Sequence, residues 1–81
     1  MIVRRSPHTL DVRGLACPLP LIRARRELAG LGDGETLLVL ATDPEAPIDL
    51  AALAADEGWE FAEERVTGGW QITLTKGAPG R

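Results

Sequence analysis

Cysteine and histidine are nearly missing from this chain: its 81 residues hold one of each, Cys17 and His8. A single cysteine cannot close an internal disulfide, so a disulfide framework is excluded. The pair is too few for a cluster of zinc ligands, so no metal site is expected. Long hydrophobic runs are missing as well. The opening Met1-Ile2-Val3-Arg4-Arg5-Ser6-Pro7 carries charge with no apolar run behind it. It reads as a loose arm, neither a signal peptide nor a membrane span. Internal repeats and linkers are absent, and 81 residues leave room for one domain, residues 1–81, with an ordered core over about 8–76. A domain this size buries roughly 60% of its unfolded surface, so without staples its stability is modest. The expected setting is the cytoplasm, with the thiol reduced at rest.

Net positive charge is missing too. The chain carries −3 overall, unevenly spread. Residues 1–30 hold six arginines against Asp11 and Glu27, and residues 31–81 hold ten acids against Arg65, Lys76 and Arg81. An acidic chain with no basic stripe beyond one helix is a poor nucleic-acid binder. The basic part surrounds the cysteine. Arg13, Arg23, Arg25 and Arg26 are either a solvated helix face or groups that steady a thiolate and steer docking onto an acidic partner.

What is present is organised around Leu10-Asp11-Val12-Arg13-Gly14-Leu15-Ala16-Cys17-Pro18-Leu19-Pro20. Leu10 and Val12 alternate with polar neighbours, which predicts a half-buried strand over His8 to Val12. From Leu21 the apolar spacing becomes helical: Leu21, Ala24, Leu28 and Leu31 fall on one arc. Cys17 therefore sits where a strand ends and a helix begins. Gly14 permits a turn in the loop between them. Pro18 biases Cys17 toward an extended backbone, which predicts Cys17 as N-cap and Pro18 as the first helical residue. Pro20 is tolerable in the first turn. The positive end of a helix lowers a thiol pKa from about 8.5, so a reactive thiol is expected. Leu19 projects outward beside Cys17.

The rest of the chain predicts a helix from Pro18 to Leu31, a strand from Glu35 to Ala41, and a helix from Pro47 to Glu57 that ends at Gly58. Its inner face is Leu50, Leu53 and Ala54, with Asp49 and Asp56 on a different side. Strands follow over Trp59 to Arg65 and Trp70 to Lys76, joined at Thr67-Gly68-Gly69. The two tryptophans read as packing residues rather than a ligand cage. The tail Gly77-Ala78-Pro79-Gly80-Arg81 reads as disordered. The order β-α-β-α-β-β, with right-handed crossovers, places both helices on one face of a mixed four-stranded sheet. The expected fold is an α/β two-layer sandwich.

Three readings compete for Cys17. It packs as a small hydrophobe, it is the nucleophile of an enzyme, or it carries a group between proteins. An enzyme needs a base or a resolving thiol nearby. His8 begins the first strand and Cys17 follows its end, about 16 Å away along the strand. No second cysteine exists to resolve a sulfenic acid. A carrier needs one accessible, oriented sulfur whose exchange is governed by pKa and access. Asp43, after the second strand, lies at the same sheet edge as Cys17; it belongs to a docking surface or shapes the turn.

The run Leu-Asp-x-x-Gly-Leu-x-Cys-Pro-x-Pro resembles the signature of the TusA family of small sulfur-carrier proteins, also called SirA-like. The likeness continues through Gly34-Glu35-Thr36-Leu37-Leu38-Val39, Asp43-Pro44, Asp49-Leu50 and Gly58. It implies strand order 1-2-4-3 and a sulfurtransferase role in which Cys17 carries a persulfide from donor to acceptor, with Pro18 and Pro20 shaping the helix start. Sulfur on Cys17 is then covalent cargo, and no cofactor is expected. The partners implied are a donor protein, a cysteine desulfurase or a rhodanese-like protein, and an acceptor protein. Relatives serve tRNA thiolation, molybdenum cofactor synthesis or oxidation of reduced sulfur compounds. Members working in tRNA thiolation often have an acidic residue where this chain has Leu19, which tilts the reading toward the others. The rivals are a non-catalytic interaction or regulatory module, and an RNA-binding domain by analogy with the C-terminal domain of a translation initiation factor.

Overall fold

A computed structural model describes residues 8–77. The expected arm over residues 1–7 and most of the expected tail lie outside them. The elements are β1 (His8–Asp11), α1 (Leu19–Ala29), β2 (Thr36–Ala41), α2 (Glu45–Glu57), β3 (Glu60–Val66) and β4 (Gly69–Thr75). The sheet order is β1-β2-β4-β3, the mixed four-stranded sheet with two helices that the sequence predicts. β1 and β2 are parallel, joined through α1; β4 is antiparallel to both β2 and β3. The β2-α2-β3 crossover skips one position, which β4 fills by returning through a tight hairpin.

Alternation decides which side chains enter the core. Leu37, Val39 and Ala41 of β2 stand opposite Leu74, Ile72 and Trp70 of β4. All of these but Trp70 form one buried cluster with Leu10, Val12, Ala24, Leu28, Leu50 and Ala54. Leu53, Trp59 and Trp70 pack against it half-buried. Arg65 stacks over the Trp70 ring at 5.3 Å and Lys76 over the Trp59 ring at 5.8 Å. Both tryptophans are packing residues, as expected.

The element ends differ from the sequence expectations for local reasons. Helix α1 starts at Leu19, not Pro18, because Pro18 is its N-cap with φ −99° and ψ 17°. Pro20 is its second residue and is fully buried. At the other end Gly30 caps the helix, so Leu31 contributes to the core from outside it. Lys76 Nζ donates to the carbonyls of Leu28 at 2.6 Å and Leu31 at 2.8 Å. A cation there complements the negative end of α1. Helix α2 starts at Glu45, two residues before the expected Pro47, and Pro47 is accommodated in its first turn. Ala46 and Pro47 thereby join its buried face.

Gly69 begins β4 and is buried against the carbonyl of Ala41. A Cβ placed there would collide with that carbonyl and crowd Thr42. Gly69→Ala is expected to cost about 1–3 kcal/mol by overpacking. For a domain of this size each kcal/mol lowers the melting midpoint by about 4–8 °C. A thermal melt checks this, and an unchanged midpoint would show that the strands have room.

Candidate functional site

Because β1 and β2 run parallel, the loops leaving their C-terminal ends lie side by side. The first loop, residues 12–18, continues the ladder for one bond: the Val12 N–H donates to the Leu40 carbonyl at 2.9 Å. It then turns through Gly14, whose φ is +85°. Two side chains of the second loop pin it. Thr42 Oγ1 accepts from the Gly14 N–H at 2.9 Å, and Asp43 Oδ2 accepts from the Cys17 N–H at 2.8 Å. The other oxygen of Asp43 accepts from the Glu45 N–H at 2.8 Å. This is an Asx turn that starts α2. One carboxylate both shapes its own turn and fixes the cysteine's backbone. These backbone hydrogen bonds hold the Asp43 pKa below its ordinary value.

Cys17 is a free, exposed cysteine, which removes the packing reading. Its Sγ donates to Asp49 Oδ2 at 3.3 Å. Asp49 lies in the early part of α2 and is half-exposed. The sequence reading placed it on a different side from the inner face and gave it no role. In fact it makes the closest polar contact to the sulfur. The trace it left in the sequence was its place, with Leu50, in the run that resembles the family.

The electrostatics reverse the sequence expectation. The thiol pKa is raised, first by the hydrogen bond to Asp49, then by desolvation and the negative charges of Asp49, Asp43 and Glu45. The expected helix terminus is absent as a direct neighbour, since Cys17 precedes the N-cap and two of the first turn's donors are lost to Pro18 and Pro20. Nor do the arginines act on the sulfur. Arg13 is committed to Asp11 through Nε at 2.9 Å and Nη2 at 2.7 Å, and its own N–H donates to the same carboxylate. That fork holds Asp11 down to a pKa of about 2. Arg23, Arg25 and Arg26 are exposed along α1.

The other sequence-predicted residues gather around the cysteine. Pro18 and Pro20 set the helix start, and Gly14 makes the loop turn. Leu19 is 45% exposed, and two residues missed by the sequence reading match it: Ile22 at 46% and Ile48 at 63%. Three large apolar side chains are thus exposed on the first turns of α1 and α2, the two helices that flank the sulfur. His8 pairs with Leu37 at the far end of the β1–β2 ladder. Among the described residues no group of three or more His, Cys, Asp or Glu side chains is arranged to hold a metal ion.

A family model described as sulfurtransferase TusA matches residues 8–76. The chain belongs to the TusA family. It is 43% identical over 60 residues to the sulfur carrier protein TusA of Allochromatium vinosum, covering 74% of this chain and 79% of that one. It is 52% identical over 53 residues to a provisionally named sulfur carrier protein of Neisseria meningitidis serogroup A, covering 65% and 72%. The crystal structure of a SirA-like protein from Desulfitobacterium hafniense superposes with a TM-score of 0.77 at 32% identity, covering 85% of this chain and 96% of that one. The resemblance read from the Cys-Pro-x-Pro run and its flanks therefore holds at the level of family and fold.

The double acceptance by Asp43 has a pH signature. Its folded-state pKa is depressed, so the tie is intact above the ordinary aspartate value of 3.8 and is lost as pH falls through the lower folded value. The amide resonances of Cys17 and Glu45 are expected to shift together, with a common inflection below 3.8. An NMR titration checks this; in Asp43→Asn the shared inflection should disappear.

Proposed function

We propose that this chain is a sulfur carrier that accepts sulfur as a persulfide on Cys17 and relays it to an acceptor protein. The observation that carries the reading is one exposed thiol on a pinned loop, in the Cys17-Pro18-Leu19-Pro20 signature of a family whose named relatives are sulfur carriers. The chemistry is thiol exchange on sulfur. The Cys17 sulfur attacks the terminal sulfur of a donor persulfide, a new S–S bond forms at Cys17, and the donor's S–S bond breaks with its electron pair on the donor thiolate, which takes up a proton. The net change turns a donor persulfide and a Cys17 thiol into a donor thiol and a Cys17 persulfide. No oxidant or cofactor is consumed. The acceptor repeats the step in the opposite sense.

The supporting residues follow from their places. Gly14, Pro18, Pro20 and Asp43 fix the loop and aim the sulfur. Leu19, with Ile22 and Ile48, offers apolar ground for a partner protein, and Arg25 offers charge on the same helix. Arg13 acts through Asp11 on the loop rather than on the sulfur. The donor is a cysteine desulfurase or a rhodanese-like protein, and the cytoplasm, where thiols stay reduced, is the setting. No helix among the described residues is long and apolar enough to cross a membrane. Of the three pathways the resemblance implies, the apolar Leu19 favours molybdenum cofactor synthesis or sulfur oxidation over tRNA thiolation.

Intact-protein mass spectrometry tests the reading. The chain is incubated with a cysteine desulfurase plus cysteine, and separately with a rhodanese plus thiosulfate. A one-sulfur adduct is expected, removed by dithiothreitol and absent in Cys17→Ser, whose fold is unchanged. The better donor identifies the pathway class. No adduct from either donor, with the thiol shown free, would favour the interaction module, whose partner binding would survive Cys17→Ser.

A further inference from the structure

We propose that Asp49 is the proton acceptor of the loading step: it holds the Cys17 thiol aimed and protonated at rest, and takes its proton as the sulfur attacks. This rests on the carrier reading and adds a second residue to the reacting centre. The geometry is direct. Asp49 Oδ2 lies 3.3 Å from Sγ, within hydrogen-bond reach for sulfur. Asp49 is on α2, and α2 is tied to the cysteine loop by Asp43, which accepts from Cys17 and Glu45 at once. The carboxylate and the sulfur are therefore held in one frame by a link that does not involve the thiol.

The charged groups acting on the sulfur are Asp43, Glu45 and Asp49, from the loop after β2 and the start of α2. All are negative, so a free thiolate is disfavoured and the resting state is the thiol. A thiol is a poor nucleophile and must lose its proton when it attacks. His8 is at the wrong end of the sheet. Asp49 already accepts the hydrogen bond that proton transfer would follow. As the Cys17–sulfur bond forms and the donor S–S bond breaks, the proton moves to Asp49 Oδ2, and the departing donor thiolate takes it from there. The carboxylate is regenerated, and atoms and electrons balance without a further reagent. Between transfers the same bond keeps the thiolate fraction low, which protects an exposed cysteine from adventitious alkylation and oxidation.

Asp49→Asn separates the two halves of this role, because it moves two rates in opposite directions. Removing the charge lets the thiolate form more readily, so alkylation of Cys17 by iodoacetamide at pH 7 rises several-fold and its pH profile moves toward acid. Loading from glutathione persulfide at pH 7 falls. A positioned base contributes about 10²–10⁴-fold, which outweighs the gain from a larger thiolate fraction, so a net loss of at least about tenfold is expected. Raising the pH to where the thiolate forms unaided restores loading in the variant, and Asp49→Glu retains part of it. Unchanged thermal melts exclude a folding defect. An alkylation profile that does not move, or loading that is undiminished at pH 7, overturns the proposal. A wild-type chain that takes up no sulfur from any donor, while Asp49→Asn still shifts alkylation, overturns the carrier reading and the loading step together and leaves the hydrogen bond standing.

Discussion

The carboxylate of Asp43 is the constraint on which the site depends. Parallel pairing of β1 and β2 brings two loops to one edge of the sheet, but parallel strands do not by themselves fix what their loops do. Asp43 fixes both. One oxygen starts α2 by accepting from Glu45, and the other holds the backbone of Cys17. Where α2 begins and where the sulfur sits are thus a single variable. Thr42, one residue earlier, secures Gly14 in the same way. A loop that carries a nucleophile directly before two prolines has few backbone donors left to anchor it. Two of its remaining N–H groups, those of Gly14 and Cys17, are spent on side chains of the neighbouring loop.

That arrangement explains why the thiol environment is acidic. A helix terminus would attract an anionic sulfur, but the first turn of α1 has lost donors at Pro18 and Pro20, and Cys17 lies before the cap. The helix that reaches the sulfur is α2, through a side chain rather than through its backbone. Asp43 stands near its start because it makes the turn, Glu45 is the first residue of the helix, and the charge of both falls on the cysteine. The arginines are closer in sequence and weaker in effect. Arg13 is neutralised in a bidentate pair with Asp11, and the α1 arginines extend into solvent, where their charge is screened.

How much of this was legible depended on range. Strand and helix identities came from local periodicity: the alternation around Leu10 and Val12, the arc of Ala24 and Leu28, the break at Thr67-Gly68-Gly69. The strand order came from resemblance, because no local pattern says that β4 slips between β2 and β3. Helix ends were displaced by local turn chemistry that periodicity does not register, such as the Asp43–Glu45 Asx turn that starts α2 two residues early. The shared edge of Cys17 and Asp43 was legible from topology alone. The sign of the thiol's pKa shift was not, because it turns on a contact across 32 residues of chain between Sγ and Asp49. Helical periodicity put Asp49 away from the inner face of α2, and that is correct as far as it goes. The sulfur lies at the end of the helix pair rather than beneath it, so a residue off the core face of α2 is well placed to meet it.

The same geometry explains how so small a protein affords a defined site. The core of Leu37, Val39, Ile72 and Leu74 fixes the sheet, and the sheet fixes the spacing of the two loop origins. From there three side chains suffice: Thr42 and Asp43 position the backbone, and Asp49 addresses the sulfur. None needs burial to be effective, since each acts on a partner held by backbone geometry. An exposed site of this kind stays open to a protein surface, with Leu19, Ile22 and Ile48 left uncovered on the flanking helices. A sulfur presented on a rigid edge demands only that the edge not move.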